Sequence, residues 1–166
     1  MSLKSLKIVA TIIVGVGMSA GALAGCAAQD RLSSAAASFS GYGLHYVDSM
    51  ESAKLSYGRP NSDAVGLMME CAKGSGQVEL SDAGRKGDGK LSLLANGRRS
   101  DFRGTVETGE GPAVVYTTAR LSSPALQGFR ETGKVEVRTV AQRYTVIADA
   151  AQKPMVDRFF AACGAV

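Results

Sequence analysis

The sequence contains three cysteines, and the position of each one limits the chemistry that its thiol can take part in. Cys26 directly follows small residues, and small residues before a scissile bond fit the narrow groove of a signal peptidase. A thiol placed directly after such a bond is a nucleophile that can be alkylated. Cys71 and Cys163 lie far along the chain, with no histidine or third cysteine close to either of them. The sequence therefore predicts covalent modification at Cys26 and a different role for the other two thiols.

The segment before Cys26 has the composition of an export signal. Residues 1–7 carry two lysines and no acid, and residues 8–23 are uncharged and apolar or small. Glycines interrupt this run, which is shorter and less apolar than the roughly 20 residues expected of a spanning helix. We therefore predict a cleaved signal peptide over residues 1–25. An ordinary secretory signal, cut among the small residues 20–24, is the alternative.

Leu23-Ala24-Gly25-Cys26 resembles the lipobox of bacterial lipoproteins, in which leucine and two small residues precede the modified cysteine. The resemblance implies a diacylglyceryl thioether on Cys26, cleavage before it and acylation of the new amino group by the lipoprotein processing and sorting machinery. Several acyl chains on one residue anchor a protein stably, whereas one chain does not. Ala27 stands where inner-membrane lipoproteins usually have a retention aspartate, which implies the outer membrane, facing the periplasm. We expect this covalent lipid and no other cofactor.

With Cys26 assigned to lipid, Cys71 and Cys163 remain as a pair in an oxidising compartment. A disulfide between them would close a loop of about 90 residues, which the loop-closure model equates with about 4–5 kcal/mol of stability. Two buried, unpaired thiols are the alternative, and a metal-binding or catalytic role lacks a nearby histidine.

The mature chain has the length of one domain and a small net charge. Removing residues 1–25 leaves 141, and the formal charge falls from +4 to +2 because Lys4 and Lys7 leave and no acid does. So small a charge, with no tryptophan and few other aromatic residues, argues against a nucleic-acid partner. We expect a lipidated, flexible tether over residues 26–43 and a single β-rich domain over residues 44–166.

Turn signals and period-two alternation divide the domain into short strands. The expected strands are 54–57, 64–71, 77–81, 90–95, short pieces within 98–107, 113–121, 134–139 and 143–149. Pro124 and Gly133 bound a predicted helix over 124–132, and residues 152–163 form a closing helix with an apolar stripe. The predicted fold is α+β, mainly antiparallel β (one sheet or a small sandwich), with the short helix inserted and the C-terminal helix packed on the sheet.

The segment 57–63 has the composition of a loop, and binding often uses loops on a rigid scaffold. Tyr57, Arg59 and Asn61 therefore form a candidate binding loop, with a purely structural turn as the alternative. A second candidate is a basic stretch across two loops, which contains Arg85, Lys86, Arg98, Arg99 and Arg103. This stretch would contact anionic headgroups or lipopolysaccharide, or it is ordinary solvated loop surface.

No catalytic residue and no metal site are predicted. His45 is the only histidine, and it stands without a nucleophile motif of the Gly-x-Ser-x-Gly type. The segment 84–90 has the glycine and lysine spacing of a P-loop, but Leu91 replaces the hydroxyl residue that would hold magnesium.

Beyond the lipobox, the chain resembles small envelope lipoproteins of proteobacteria. The resemblance rests on a cysteine early in the sheet and on the Phe-Phe-Ala-Ala-Cys end of the last helix, and it names no activity. The expected function is that of a membrane-anchored envelope lipoprotein, acting as a non-catalytic binding or structural module with another envelope protein as a candidate partner. A periplasmic enzyme or a protease-inhibitor-like protein is the alternative.

Overall fold

The computed structural model describes residues 39–84, 88–109, 111–140 and 142–164. Within these ranges the chain forms ten strands and two helices. The strands are Gly43–Asp48 (β1), Ser52–Gly58 (β2), Val65–Ala72 (β3), Gln77–Gly84 (β4), Lys90–Ala95 (β5), Arg98–Arg103 (β6), Thr105–Glu107 (β7), Ala113–Arg120 (β8), Lys134–Arg138 (β9) and Arg143–Ile147 (β10). The helices are Pro124–Thr132 (α1) and Lys153–Cys163 (α2). In the described part of the chain, neither helix has the length and apolar character needed to cross a bilayer.

The strands pair into two antiparallel sheets. The larger sheet has six strands in the order β1-β2-β3-β4-β8-β7, and the smaller has four in the order β10-β9-β5-β6. Every pairing in both sheets is antiparallel. The predicted fold class is therefore confirmed: mainly antiparallel β, with a short inserted helix and a C-terminal helix packed on a sheet.

Alternation along each strand divides the sheets into a core face and an outward face. In the six-stranded sheet Leu55, Met69 and Leu80 are fully buried neighbours across three strands. In the four-stranded sheet Leu93 and Val137 are paired across β5 and β9 with no exposed surface. The inner faces of both sheets and the two helices form one continuous core. The outward faces of the two sheets are therefore available to contact other molecules.

Helix α1 covers the inner side of the four-stranded sheet. Pro124 occupies its first turn, and Gly133 ends it in the left-handed region at φ 67°, with its N–H donated to the carbonyl of Phe129. The buried side chains Leu126 and Phe129 pack towards β5, β6 and β9. Gly128 permits this approach, because a Cβ there would lie 2.5 Å from the carbonyl oxygen of Ala95. The helix predicted over 124–132 is confirmed at the same bounds.

Helix α2 packs against β1 and β2 of the six-stranded sheet. Its apolar stripe is buried at Val156, Phe159, Phe160 and Cys163. The helix end is also tied to the turn after β3, because the N–H of Gly76 donates to the carbonyl of Cys163 at 2.9 Å. The last helix is thereby fixed to the sheet at its C-terminal end.

The packed part of the chain extends further towards the N-terminus than the predicted domain boundary at residue 44. Phe39 stacks on Tyr144 of β10 with ring centroids 4.2 Å apart, and Tyr42 packs beside Phe39 at 5.0 Å. Strand β1 then pairs with β2 over its whole length. Glycine and serine residues lie around β1, and because these residues are typical of loops, the local sequence does not indicate a strand there. The predicted signal peptide, and the tether as far as residue 38, lie outside the described residues.

Candidate functional site

The outward face of the four-stranded sheet gathers cationic side chains from all four strands. Alternation places them there, because Leu91, Leu93, Val135 and Val137 fill the inward positions between them. The outward cations are Lys90 on β5, Arg99 and Arg103 on β6, Lys134 and Arg138 on β9, and Arg143 on β10. We call this surface the basic face. Its other outward residues are Ser92, Leu94, Asp101, Glu136, Thr145 and Ile147.

Strand register brings cations of the basic face side by side. Lys90 lies directly opposite Arg103, and Arg143 lies directly opposite Arg138. Residues opposite each other in an antiparallel pair have Cβ atoms only about 4.5–5.5 Å apart, so like charges at such positions repel. These paired cations give the outward side of the four-stranded sheet a concentrated positive potential.

Two carboxylates on the basic face offset only part of this charge. Glu136 accepts hydrogen bonds from Arg143 at 2.8 Å and from Arg138. Partial burial raises the pKa of Glu136, but the hydrogen bonds and the positive charges of Arg143 and Arg138 together outweigh it and hold the pKa below its usual value. Hydrogen bonds from Ser92 and then from Arg99 likewise lower the pKa of Asp101. Both acids are ionised at neutral pH, so six cations against two carboxylates leave the face with a net charge of +4.

Arg103 and Lys134 are the cations of this face with most freedom to contact another molecule. Both are exposed, and no carboxylate among the described residues pairs with either of them. Lys90, in contrast, pairs with Asp88 at 2.6 Å. A shallow depression of about 250 Å³ lies between β5 and β6, lined in part by Lys90, Arg99 and Arg103. The basic face is therefore a broad surface and lacks a deep cleft there.

The outward face of the six-stranded sheet has the opposite balance of charge. Its outward strand positions carry two cations, Lys54 and Arg120, and three carboxylates, Glu70, Glu79 and Glu107. Lys54 and Glu70 pair at 2.9 Å. The two outward faces of the domain thus differ by five formal charges, and a partner that responds to charge would distinguish them.

A second polar feature is buried between the two sheets. Asp82 of β4 has no exposed surface and lies on the core side, where alternation places it in line with Leu80. It accepts a hydrogen bond from the Tyr144 hydroxyl of β10, and a second from Gln142 Nε2 at 3.0 Å. Gln142 also donates to the carbonyl of Ala83 at 3.0 Å. This cluster links a strand of each sheet through side chains.

Burial dominates the titration of the Asp82 cluster. Loss of solvent raises the pKa of Asp82, and the hydrogen bonds from Tyr144 and Gln142 oppose the shift without cancelling it. Burial, followed by the nearby Asp82 charge, raises the pKa of Tyr144 well above its ordinary value. Tyr144 therefore stays a neutral hydrogen-bond donor at physiological pH, which suits a role in holding the sheets together.

The aromatic residues around Tyr144 cover this cluster. Phe39 stacks on Tyr144, and Tyr57 lies parallel to it at 6.1 Å between ring centroids. Gly66 leaves room for both neighbours, since a Cβ there would lie 3.2 Å from the Tyr144 hydroxyl and 3.2 Å from Phe39. The Asp82 cluster is thereby packed against aromatic side chains that include the first described residue, Phe39.

The three residues of the predicted binding loop have different surroundings. Tyr57 belongs to β2, is 9% exposed and packs inwards. Arg59 lies over the Tyr42 ring, 5.7 Å from its centroid, and Asn61 sits in an exposed turn at φ 54°. The turn is closed by the Arg59 N–H, which donates to the Ala64 carbonyl at 3.0 Å. Arg59 and Asn61 are thus the residues of this loop that face solvent or lie at its surface.

The cysteines and His45 are the other residues whose side chains could carry chemistry. Cys71 and Cys163 form a disulfide, which confirms that pairing. His45 lies on edge strand β1, with its Nε2 3.3 Å from the carbonyl oxygen of Gly58. Across the described ranges, no three His, Cys, Asp or Glu side chains are grouped to hold a metal ion. Cys26 lies outside the described residues.

The basic face differs from the basic stretch suggested by sequence. Arg85 and Lys86 lie outside the described residues. Arg98, Arg99 and Arg103 are in strand β6 and not in a loop, and Arg98 turns to the inner side, where it pairs with Glu131 of α1. The cations on β9 and β10 were missed, because only the pairing of β5 with β9 brings them beside β6. The alternating sequence Lys-Val-Glu-Val-Arg of β9 could have indicated that Lys134 and Arg138 share an outward face.

Comparisons with known proteins leave the geometry as the basis for any assignment. No family model, no curated protein and no solved structure matches the chain. The basic face and the buried Asp82 cluster are thus the two features from which a function can be argued.

Proposed function

We propose that the protein is a lipid-anchored protein of the cell envelope that acts as a non-catalytic binding module, with the basic face as its binding surface. The proposal rests on six cations that lie on one outward sheet face, five of them exposed and Arg138 half-buried. The lipid anchor rests on the resemblance of residues 23–26 to a lipobox. By the same resemblance, the anchor holds the domain at the outer membrane, facing the periplasm.

The fold is suited to present this face as a rigid surface. Its cations stand on hydrogen-bonded strands, which hold side chains in a more defined geometry than a loop would. Helix α1 supports the strands from behind, through Leu126 and Phe129. The disulfide between Cys71 and Cys163 fixes the last helix to the other sheet. Little ordering of the scaffold would therefore oppose binding.

The chemistry of the basic face favours a partner with dispersed negative charge. Arginine presents a planar array of donors that matches phosphate and carboxylate groups, and four of the six cations are arginines. Arg103 and Lys134 have no carboxylate partner among the described residues, so binding there would not first require breaking an ion pair. The expected partners are anionic groups of the envelope.

A protease-inhibitor-like protein is the second candidate, and one feature favours it. The turn after β2 is exposed and held by short-range hydrogen bonds, including Ser62 Oγ to the Arg59 carbonyl at 3.2 Å and the Ala64 N–H to Ser62 Oγ at 3.2 Å. A rigid exposed loop is what an inhibitor of this kind requires. The basic face has the larger area and charge, and we therefore place the binding function there.

Replacing Cys26 with serine tests the anchor. A hydroxyl does not accept the diacylglyceryl group, so the Cys26→Ser protein should lose most of its membrane-bound fraction. The measurement is the distribution of the protein between membrane and soluble fractions of the envelope, after washing with high salt to weaken attachment by charge alone.

Ala28→Ser is the matched control, because it introduces the same side chain two residues further on and leaves the thiol in place. It should remain in the membrane fraction. Retention of Cys26→Ser in salt-washed membranes, at the level of the control, would contradict the proposed lipid anchor.

A further inference from the structure

The charge of the basic face is spread over an area and not focused on one point. Neighbouring strands are about 4.8 Å apart, so four strands give a width of about 14 Å, and strands of this length extend about 17–20 Å. The six cations lie across all four strands of this area. A plane of many anionic groups matches such a surface better than one small ligand does.

Of the four exposed large apolar side chains among the described residues, two lie on or beside the basic face, and the other two, Val47 and Met50, lie on β1 and in the turn that follows it. Ile147 is an outward residue of the face and is 57% exposed. Val140, in the connection between β9 and β10, is 70% exposed. Surfaces that combine lysine and arginine with a few exposed apolar residues are typical of proteins that lie on a bilayer, where the apolar groups enter the headgroup boundary.

The described part of the chain begins at β10, an edge strand of the four-stranded sheet. Phe39, the first described residue, stacks on Tyr144 on the core side of β10, and the adjacent residue Arg143 faces the other side, in the basic face. Thirteen residue steps separate Phe39 from Cys26, which span at most about 45 Å even when fully extended. An anchored chain therefore keeps the basic face within reach of the bilayer, at a high local concentration.

We infer that the basic face docks on the anionic phospholipid headgroups of the membrane in which Cys26 is anchored. The inference rests on the proposed function, since the anchor supplies the proximity. The lipid chains and the face together make a two-part attachment, in which the acyl chains hold the protein and the cations orient it. The six-stranded sheet, whose outward face carries excess negative charge, would then face away from the bilayer.

Lysine reactivity in reconstituted vesicles tests this orientation. The processed protein, residues 26–166 with its lipid, is reconstituted into vesicles of phosphatidylcholine alone, or of phosphatidylcholine mixed with phosphatidylglycerol. Lysines are acetylated and their modification is read by mass spectrometry. Lys90 and Lys134, on the basic face, should lose reactivity in the anionic vesicles and regain it in high salt. Lys54, on the opposite sheet, is the internal control and should react equally in both.

Charge-removing variants test the contribution of the cations. The double variant Arg103→Gln, Lys134→Gln should weaken docking, read from the protection of Lys90, by about thirty-fold, because each cation near an anionic bilayer contributes about 1 kcal/mol. Arg120→Gln removes one positive charge from an exposed strand position on the other sheet and should leave the protection unchanged. Neither change breaks an ion pair among the described residues.

The possible outcomes separate the inference from the proposed function. Anchored protein whose Lys90 and Lys134 react equally in both vesicles would overturn the docking and leave the anchor standing. Protection of these lysines in native envelopes but not on anionic vesicles would also overturn it, and would indicate an acidic macromolecule as the partner. Native processed protein that is found to carry no lipid on Cys26, yet shows salt-sensitive protection of Lys90 and Lys134 on anionic vesicles, would overturn the anchor and retain the face.

Discussion

Replacing Cys71 and Cys163 together with alanine is expected to lower the free energy of unfolding by about 4–5 kcal/mol. The disulfide joins residues 92 positions apart, so its loss releases a long loop in the unfolded chain. It also joins β3 to the end of α2, where the helix has packed Phe159 and Phe160 into the core. The measurement is the urea midpoint of the oxidised wild type and of the double variant.

Reduction of the wild type supplies the control for this comparison. The reduced wild type should unfold at nearly the same urea concentration as the alanine variant, and the reductant should leave the variant unaffected. Equal midpoints for oxidised and reduced wild type would contradict the stabilising role of the disulfide.

Tyr144→Phe should destabilise the fold by about 3 kcal/mol at pH 8 and by about 1 kcal/mol at pH 3. The substitution removes the hydroxyl that donates to buried Asp82 and leaves the ring in place among its aromatic neighbours. Because burial raises the pKa of Asp82 above its ordinary value, stability from this group is present in acid and is lost as pH rises through the raised pKa. Losing a hydrogen bond that favours the ionised form raises the pKa further, so the effect grows with pH.

Tyr116→Phe is the matched control, because Tyr116 is half-buried on the outward face of the six-stranded sheet. It should change the free energy of unfolding by less than about 0.5 kcal/mol. A Tyr144→Phe penalty that is the same at pH 3 and pH 8 would show that Asp82 is not the group through which the hydroxyl acts.

Local signals predicted most of the individual elements. Pro124 and Gly133 bound α1 because their backbone preferences act within one turn. Asn96-Gly97 turns β5 into β6, with φ values of 49° and 70°, as that dipeptide favours. Strand β1 was missed because its stability comes from pairing with β2 and from α2, which a local pattern does not contain.

The candidate site depended on information that the sequence holds only indirectly. The basic face requires β9 to pair with β5, and the strands are joined through β6, β7, β8 and α1. Burial of Asp82 had a readable signal, since the alternation of Val78 and Leu80 continues to position 82. Local alternation does not identify the hydrogen-bond partner of Asp82, because Tyr144 reaches it from the other sheet, 62 residues further along the chain. Long-range partners of this kind are set by tertiary packing.

The intact mass of the mature N-terminal peptide, isolated from native membranes, tests the lipid anchor on Cys26 without any assumption about the fold. We expect the mature chain to begin at Cys26 and this residue to carry a thioether-linked diacylglyceryl group and an amide-linked acyl chain. A mature chain that begins at another residue, or that retains Cys26 with an unmodified thiol, would contradict the lipid-anchored binding module.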